Sequence, residues 1–158
     1  VYLLKITNDW CKIGRSDSLD QRLKWWKSHG LEVIWRQETS SCESHWLEYA
    51  VNRSSLKPTL KQIKVFQREN PLFPNNRHSL PSGCTEWICM GAEQAIAVAE
   101  DHWLTVQHLS AHVPRRAGAK FHGMYWLRSQ IPPADSMANP QPVYKGPVPL
   151  LITVPQGT

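Results

Sequence analysis

The chain has no apolar run approaching the ~20 residues of a membrane span. Nothing in it reads as a signal peptide. There is no CxxC pair, because the four cysteines, Cys11, Cys42, Cys84 and Cys89, are spread along the chain. A disulfide framework is therefore not expected, and reduced thiols of a cytoplasmic protein are the default. Cys84, Cys89 and His78 lack the tight spacing of a zinc motif. Internal repeats are absent as well. Acidic side chains are scarce: 13 Asp and Glu stand against 18 Lys and Arg, a net charge of +5 over 158 residues. That balance fits an anionic partner, nucleic acid first and a membrane surface second. The plainer reading is a charge that only keeps the domain soluble.

What is present suffices for one packed domain, since 41% of the residues are hydrophobic. Residues 1–6 and 10–15 read as two antiparallel strands. If Thr7-Asn8-Asp9 forms a three-residue loop, residue 4 pairs with 12, and Tyr2, Leu4, Lys12 and Gly14 share one face. A two-residue turn would instead set Tyr2 and Lys12 on opposite faces.

"SDSLDQRLKWWKSHG" (16–30) predicts a helix. Ser18 and Gln21 have the spacing of a capping box, and Gly30 suits the stop. Leu19, Leu23 and Trp26 make its buried stripe, with Arg22 at the edge of that stripe. Leu31–Thr39 reads as a strand. Residues 40–58 predict a second helix ending before Pro58, with Leu47, Ala50 and Val51 inward. Ser44, Glu48 and Asn52 follow one polar face of it. Residues 58–82 read as polar and irregular. "CTEWICM" is short enough to be a strand, and "GAEQAIAVAEDHWL" reads as an alanine-rich helix. From about residue 108 the chain is basic and aromatic, then proline-rich. The expected organisation is a compact domain over 1–105 and an extension over 106–158.

The order of hairpin, helix with arginine, strand, and helix with glutamate resembles the GIY-YIG nuclease superfamily. Val1-Tyr2 stands for the end of the first motif and Lys12-Ile13-Gly14 for the second. "CKIGRSDSLDQRL" looks most like the phage-type branch, in which the second tyrosine is often replaced. "TEWI" (85–88) resembles that branch's late strand. The likeness covers residues 1–90. It departs from the family at Lys12, which replaces the second tyrosine, and in having no clearly placed late asparagine; Asn75 and Asn76 are weak candidates.

The resemblance implies an α/β (α+β) fold with a small central antiparallel sheet of about three strands flanked by helices. It implies a metal-dependent DNA endonuclease in a bacterial or phage-infected cytoplasm. Tyr2 would be the general base, Arg22 would steady the transition state, and Glu48 would bind Mg²⁺ or Mn²⁺. Lys12 joins the catalytic candidates, because a cation on the face of Tyr2 could lower the phenol's pKa or contact the phosphate. Arg15, Arg115, Arg116 and Lys120 are candidates for DNA contact. Asn52 and His45 are secondary candidates near the metal.

The residues fit that chemistry in their own right. A carboxylate is a hard ligand for Mg²⁺, and a guanidinium fork matches phosphate geometry. Each also has a plainer role: Tyr2 as a strand aromatic, Lys12 as an edge lysine, Arg22 as surface charge, Glu48 as an ion-pair partner. Two other functions compete. One is a non-catalytic nucleic-acid-binding module of the same fold. The other is a partner-binding protein using the aromatic and proline-rich C-terminal stretch.

Overall fold

A computed structural model describes residues 1–73, 86–113 and 117–134. Four strands and five helices occur among them, in a mixed α/β arrangement. Strand β1 is Tyr2–Lys5 and β2 is Cys11–Gly14. They pair antiparallel, with Tyr2 opposite Gly14 and Leu4 opposite Lys12. This is the three-residue register. The Thr7 hydroxyl closes the loop by accepting from the Asp9 and Trp10 amides at 3.1 and 3.0 Å.

Helix α1 is Leu19–Ser28 and buries Leu19, Leu23 and Trp26. It ends in a Schellman turn. Gly30, at φ +79°, donates to the Lys27 carbonyl, and Leu31 donates to that of Trp26. The expected capping box at Ser18 does not form, since that side chain makes no cap bond. Strand β3, Glu32–Arg36, pairs with the free edge of β1.

Helix α2, Ser41–Arg53, starts at a complete capping box between Ser40 and Glu43. Trp46 joins the expected Leu47, Ala50 and Val51 on its buried side. Helix α3, Leu60–Glu69, corrects the expectation of irregular chain after residue 58. Thr59 and Gln62 cap it reciprocally, and Ile63 anchors it. The signal was Pro58 followed by Thr-x-x-Gln, which the polar composition hid.

Strand β4, Trp87–Ile88, pairs with β2 and gives the sheet the order β3-β1-β2-β4. The sheet thus has four strands rather than about three. Helix α4 is Ala92–His112 and α5 is Ala119–Gln130. The first runs through residue 105 without a break, and Trp126 and Leu127 of α5 lie in the core cluster with Leu47. Val106, Leu109 and Val113 of the α4 end and Trp126, Leu127 and Ile131 thus share the core of the preceding residues. No helix of the described residues is long and apolar enough to cross a membrane.

The sheet separates two apolar clusters. Leu3, Cys11 and Ile13 pack with α2, α4 and α5. Tyr2 and Leu4 pack with Leu19, Leu23 and Trp26 of α1. Parity along each strand sorts the residues between them. The face toward α1 is the one that carries Tyr2 and Lys12.

Candidate active site

A cleft of about 810 Å³ opens where the α1 face of the sheet meets α2 and β4. Tyr2, Lys12, Arg15, Arg22 and Glu48 all line it. These five come from two strands, two helices and the turn after β2, so the fold gathers them from separate parts of the chain.

Tyr2 is 3% exposed. Its hydroxyl accepts a hydrogen bond from Trp26 Nε1 at 3.0 Å. Burial pushes its pKa above the ordinary phenol value, while that bond and the Arg22 charge oppose the rise. This corrects the expectation that Lys12 would lower the phenol's pKa. The Lys12 ammonium is committed to Glu86, with which it forms an ion pair. It also stands over the Trp26 ring, 5.6 Å from the centroid. The lysine side chain is 9% exposed and the glutamate 35%. Lys12 is thus a buried, paired cation and not a solvated edge lysine.

Gly14 serves Tyr2 directly. A Cβ there would fall 2.9 Å from Cε2 of the Tyr2 ring and closer still to Cζ and Oη. The absent side chain leaves the space in which the ring lies.

Glu48 projects into the cleft from α2 and is half-buried. Arg15 Nε lies 3.8 Å from its Oε1. Burial raises the Glu48 pKa, and the Glu86 charge raises it further against Arg15 and Lys12. Arg22 is exposed on α1, and among the described residues it has no ion pair. A cation on a cleft wall with no acid to neutralise it is available to an anion.

Glu86 lines the same cleft. It lies within the "TEWI" stretch, and that stretch was its only signal, because nothing local gave the glutamate a role. Among the described residues no group of three or more His, Cys, Asp or Glu could hold a metal ion. Two carboxylates in one cleft still fit Mg²⁺, which takes one or two together with water and substrate phosphate oxygens. Glu48 and Glu86 are the residues that could hold it.

The remaining candidates lie elsewhere. Asn52 does not line the cleft; its Oδ1 accepts from Lys57 Nζ at 3.0 Å. His45 does not line it either, and burial lowers its pKa, helped by the Arg15 and Lys120 charges. Lys120 is on α5, where its carbonyl accepts from Trp46 Nε1 at 2.9 Å. Arg115, Arg116, Asn75 and Asn76 lie outside the described residues. No protein-family model matches the chain, and no curated protein or solved structure matches it at a significant level.

Proposed function

We propose that the protein is a metal-dependent DNA endonuclease with a fold of the GIY-YIG kind. The observation that carries this reading is the convergence of Tyr2, Lys12, Arg15, Arg22 and Glu48 on one cleft. Phosphodiester hydrolysis needs a nucleophilic water, a base for its proton, and positive charge on the phosphate. Arg22 and Arg15 are the phosphate-facing cations. Tyr2 is the base, and the indole of Trp26 fixes its oxygen. Lys12, paired with Glu86, fixes that carboxylate in the cleft and stands over the Trp26 ring that holds the Tyr2 oxygen. A divalent cation at Glu48, with Glu86 as the second carboxylate, would neutralise the phosphate and favour the phenolate form of Tyr2.

The test is cleavage of supercoiled plasmid in Mg²⁺, in Mn²⁺ and in EDTA, with Glu48→Ala beside the wild type. Metal-dependent nicking lost in the variant is the expected result. A folded wild type that cuts neither plasmid nor genomic DNA in either metal would end the catalytic reading.

One observation favours a second reading, a DNA-binding module of the same fold without catalysis. Lys12 is tied to Glu86, and burial holds the proton on Tyr2. Salt-dependent DNA binding with no product in either metal would establish it.

A further inference from the structure

Helix α3 carries its cations on one side. Lys61, Lys64 and Arg68 are spaced i, i+3 and i+7, which at 3.6 residues per turn places them within about 60° of arc. All three are exposed. Among the described residues none of them is in an ion pair. The first turn of the helix holds no acid.

The opposite side of α3 is seated. Ile63 is 2% exposed. Phe66 packs on Trp10 and Trp87, with ring centroids 6.0 and 5.5 Å away. The stripe is therefore presented by a helix anchored to β4 and the hairpin loop. Gln67, next to Arg68, lines the cleft together with Arg22 and Glu86. Gln67 thus sets the C-terminal end of α3 beside the cleft.

We propose that Lys61, Lys64 and Arg68 form a track for the phosphate backbone of duplex DNA, leading one strand to the cleft. This rests on the nuclease reading for its substrate class. Seven residues of helix rise about 10 Å. One strand of B-DNA presents a phosphate every ~3.4 Å along the axis, so the stripe spans about four consecutive phosphates and its three cations can each meet one of them. Basic side chains without acidic partners release counterions on contact, and that sets the measurable signature.

The experiment titrates the full chain onto a fluorescein-labelled duplex in EDTA, from about 50 to 200 mM salt. It compares wild type, Lys61→Gln/Lys64→Gln/Arg68→Gln, and the charge-keeping Lys61→Arg/Lys64→Arg/Arg68→Lys. Each phosphate contact contributes about 0.9 to the slope of log Kobs against log salt, so the Gln variant should lose about 2.7. The charge-keeping variant should retain the wild-type slope. All three positions are exposed, and matching circular dichroism spectra verify that the variants fold. A slope that falls by less than about 1 leaves at most one contact and overturns the track. Stronger binding to phosphatidylserine vesicles than to duplex, lost in the Gln variant, also overturns it, in favour of a membrane surface. EDTA separates this outcome from the nuclease reading: a wild type that cuts plasmid but shows no slope change in the Gln variant refutes the track alone. A wild type that binds no duplex at low salt refutes both.

Discussion

The Tyr2 ring lies over Gly14, its paired residue on the adjacent strand, in the space a side chain would fill. Gly14→Ala should therefore displace the ring and cost about 1–3 kcal/mol, the usual range for overpacking. Chemical denaturation measures it. In the Tyr2→Ala background the same substitution should cost much less, because the two residues share one volume. Equal costs in both backgrounds would show that the ring is not what the glycine accommodates.

Arg22 and Glu48 are the side chains whose loss should reach chemistry before stability. Arg22 is exposed and Glu48 is half-buried, so neither substitution opens a cavity in the core. Arg22→Ala and Glu48→Ala should each lower plasmid nicking by about 100-fold or more, as for removal of one transition-state stabiliser. Gel shift in EDTA should find Glu48→Ala still bound to DNA. Unimpaired cutting by Glu48→Ala would remove that glutamate from the mechanism.

The Glu48 carboxyl also predicts a pH effect on stability. Burial, then the Glu86 charge, hold its folded pKa above the unfolded value. Between those two values the folded state binds more protons, so this group's contribution to stability falls as pH rises through the window. Glu48→Gln does not ionise. It should melt above the wild type at pH 7 and lose that advantage below about pH 4, where both forms of the wild type are protonated. Thermal melts at the two pH values decide it, and a variant less stable at pH 7 than at pH 4, relative to wild type, contradicts the assignment. A site residue that costs stability at working pH is a familiar exchange of stability for function.

The Lys12–Glu86 pair predicts an asymmetry. Glu86→Ala leaves an almost buried ammonium without its partner and should cost about 1–3 kcal/mol. Lys12→Met with Glu86→Gln removes the charge and its counter-charge together and should cost less than the single change. Urea midpoints compare the two. A double variant weaker than Glu86→Ala alone would mean that the pair stabilises the sheet beyond satisfying the lysine.

The two strands of the hairpin were readable from their apolar runs, but the register was not: the sequence allowed a two-residue turn, and the observed three-residue loop is what sets Tyr2 and Lys12 on a common face. The stripes of α1 and α2 were readable because their helical period is clean. Helix α3 was not, because only Ile63 and the flank of Phe66 are buried and the rest of the segment is polar. The basic and aromatic composition from about residue 108 suggested an extension over 106–158, yet Trp126 and Leu127 lie in the core cluster with Leu47. The role of Glu86 was hidden for a different reason, although its stretch was legible. Its partner Lys12 is 74 positions away in the chain, and only strand pairing joins them. The placement of Asn52 followed from helix face alone, and face says nothing about how far along the axis a cleft extends.

Of the described strands β4 is made last, and it takes the open edge of β2. Until Trp87 and Ile88 are made, the hairpin, α1 and β3 can come together without Glu86. Lys12 would then face burial without its counter-charge, which disfavours early closure. Trp87 also supplies an aromatic surface on which α3 seats through Phe66. Completion of the cleft and the seating of α3 on Trp87 therefore both wait for β4. A nascent chain already carrying Tyr2, Arg22 and Glu48 stays incomplete until residues made some forty positions later arrive.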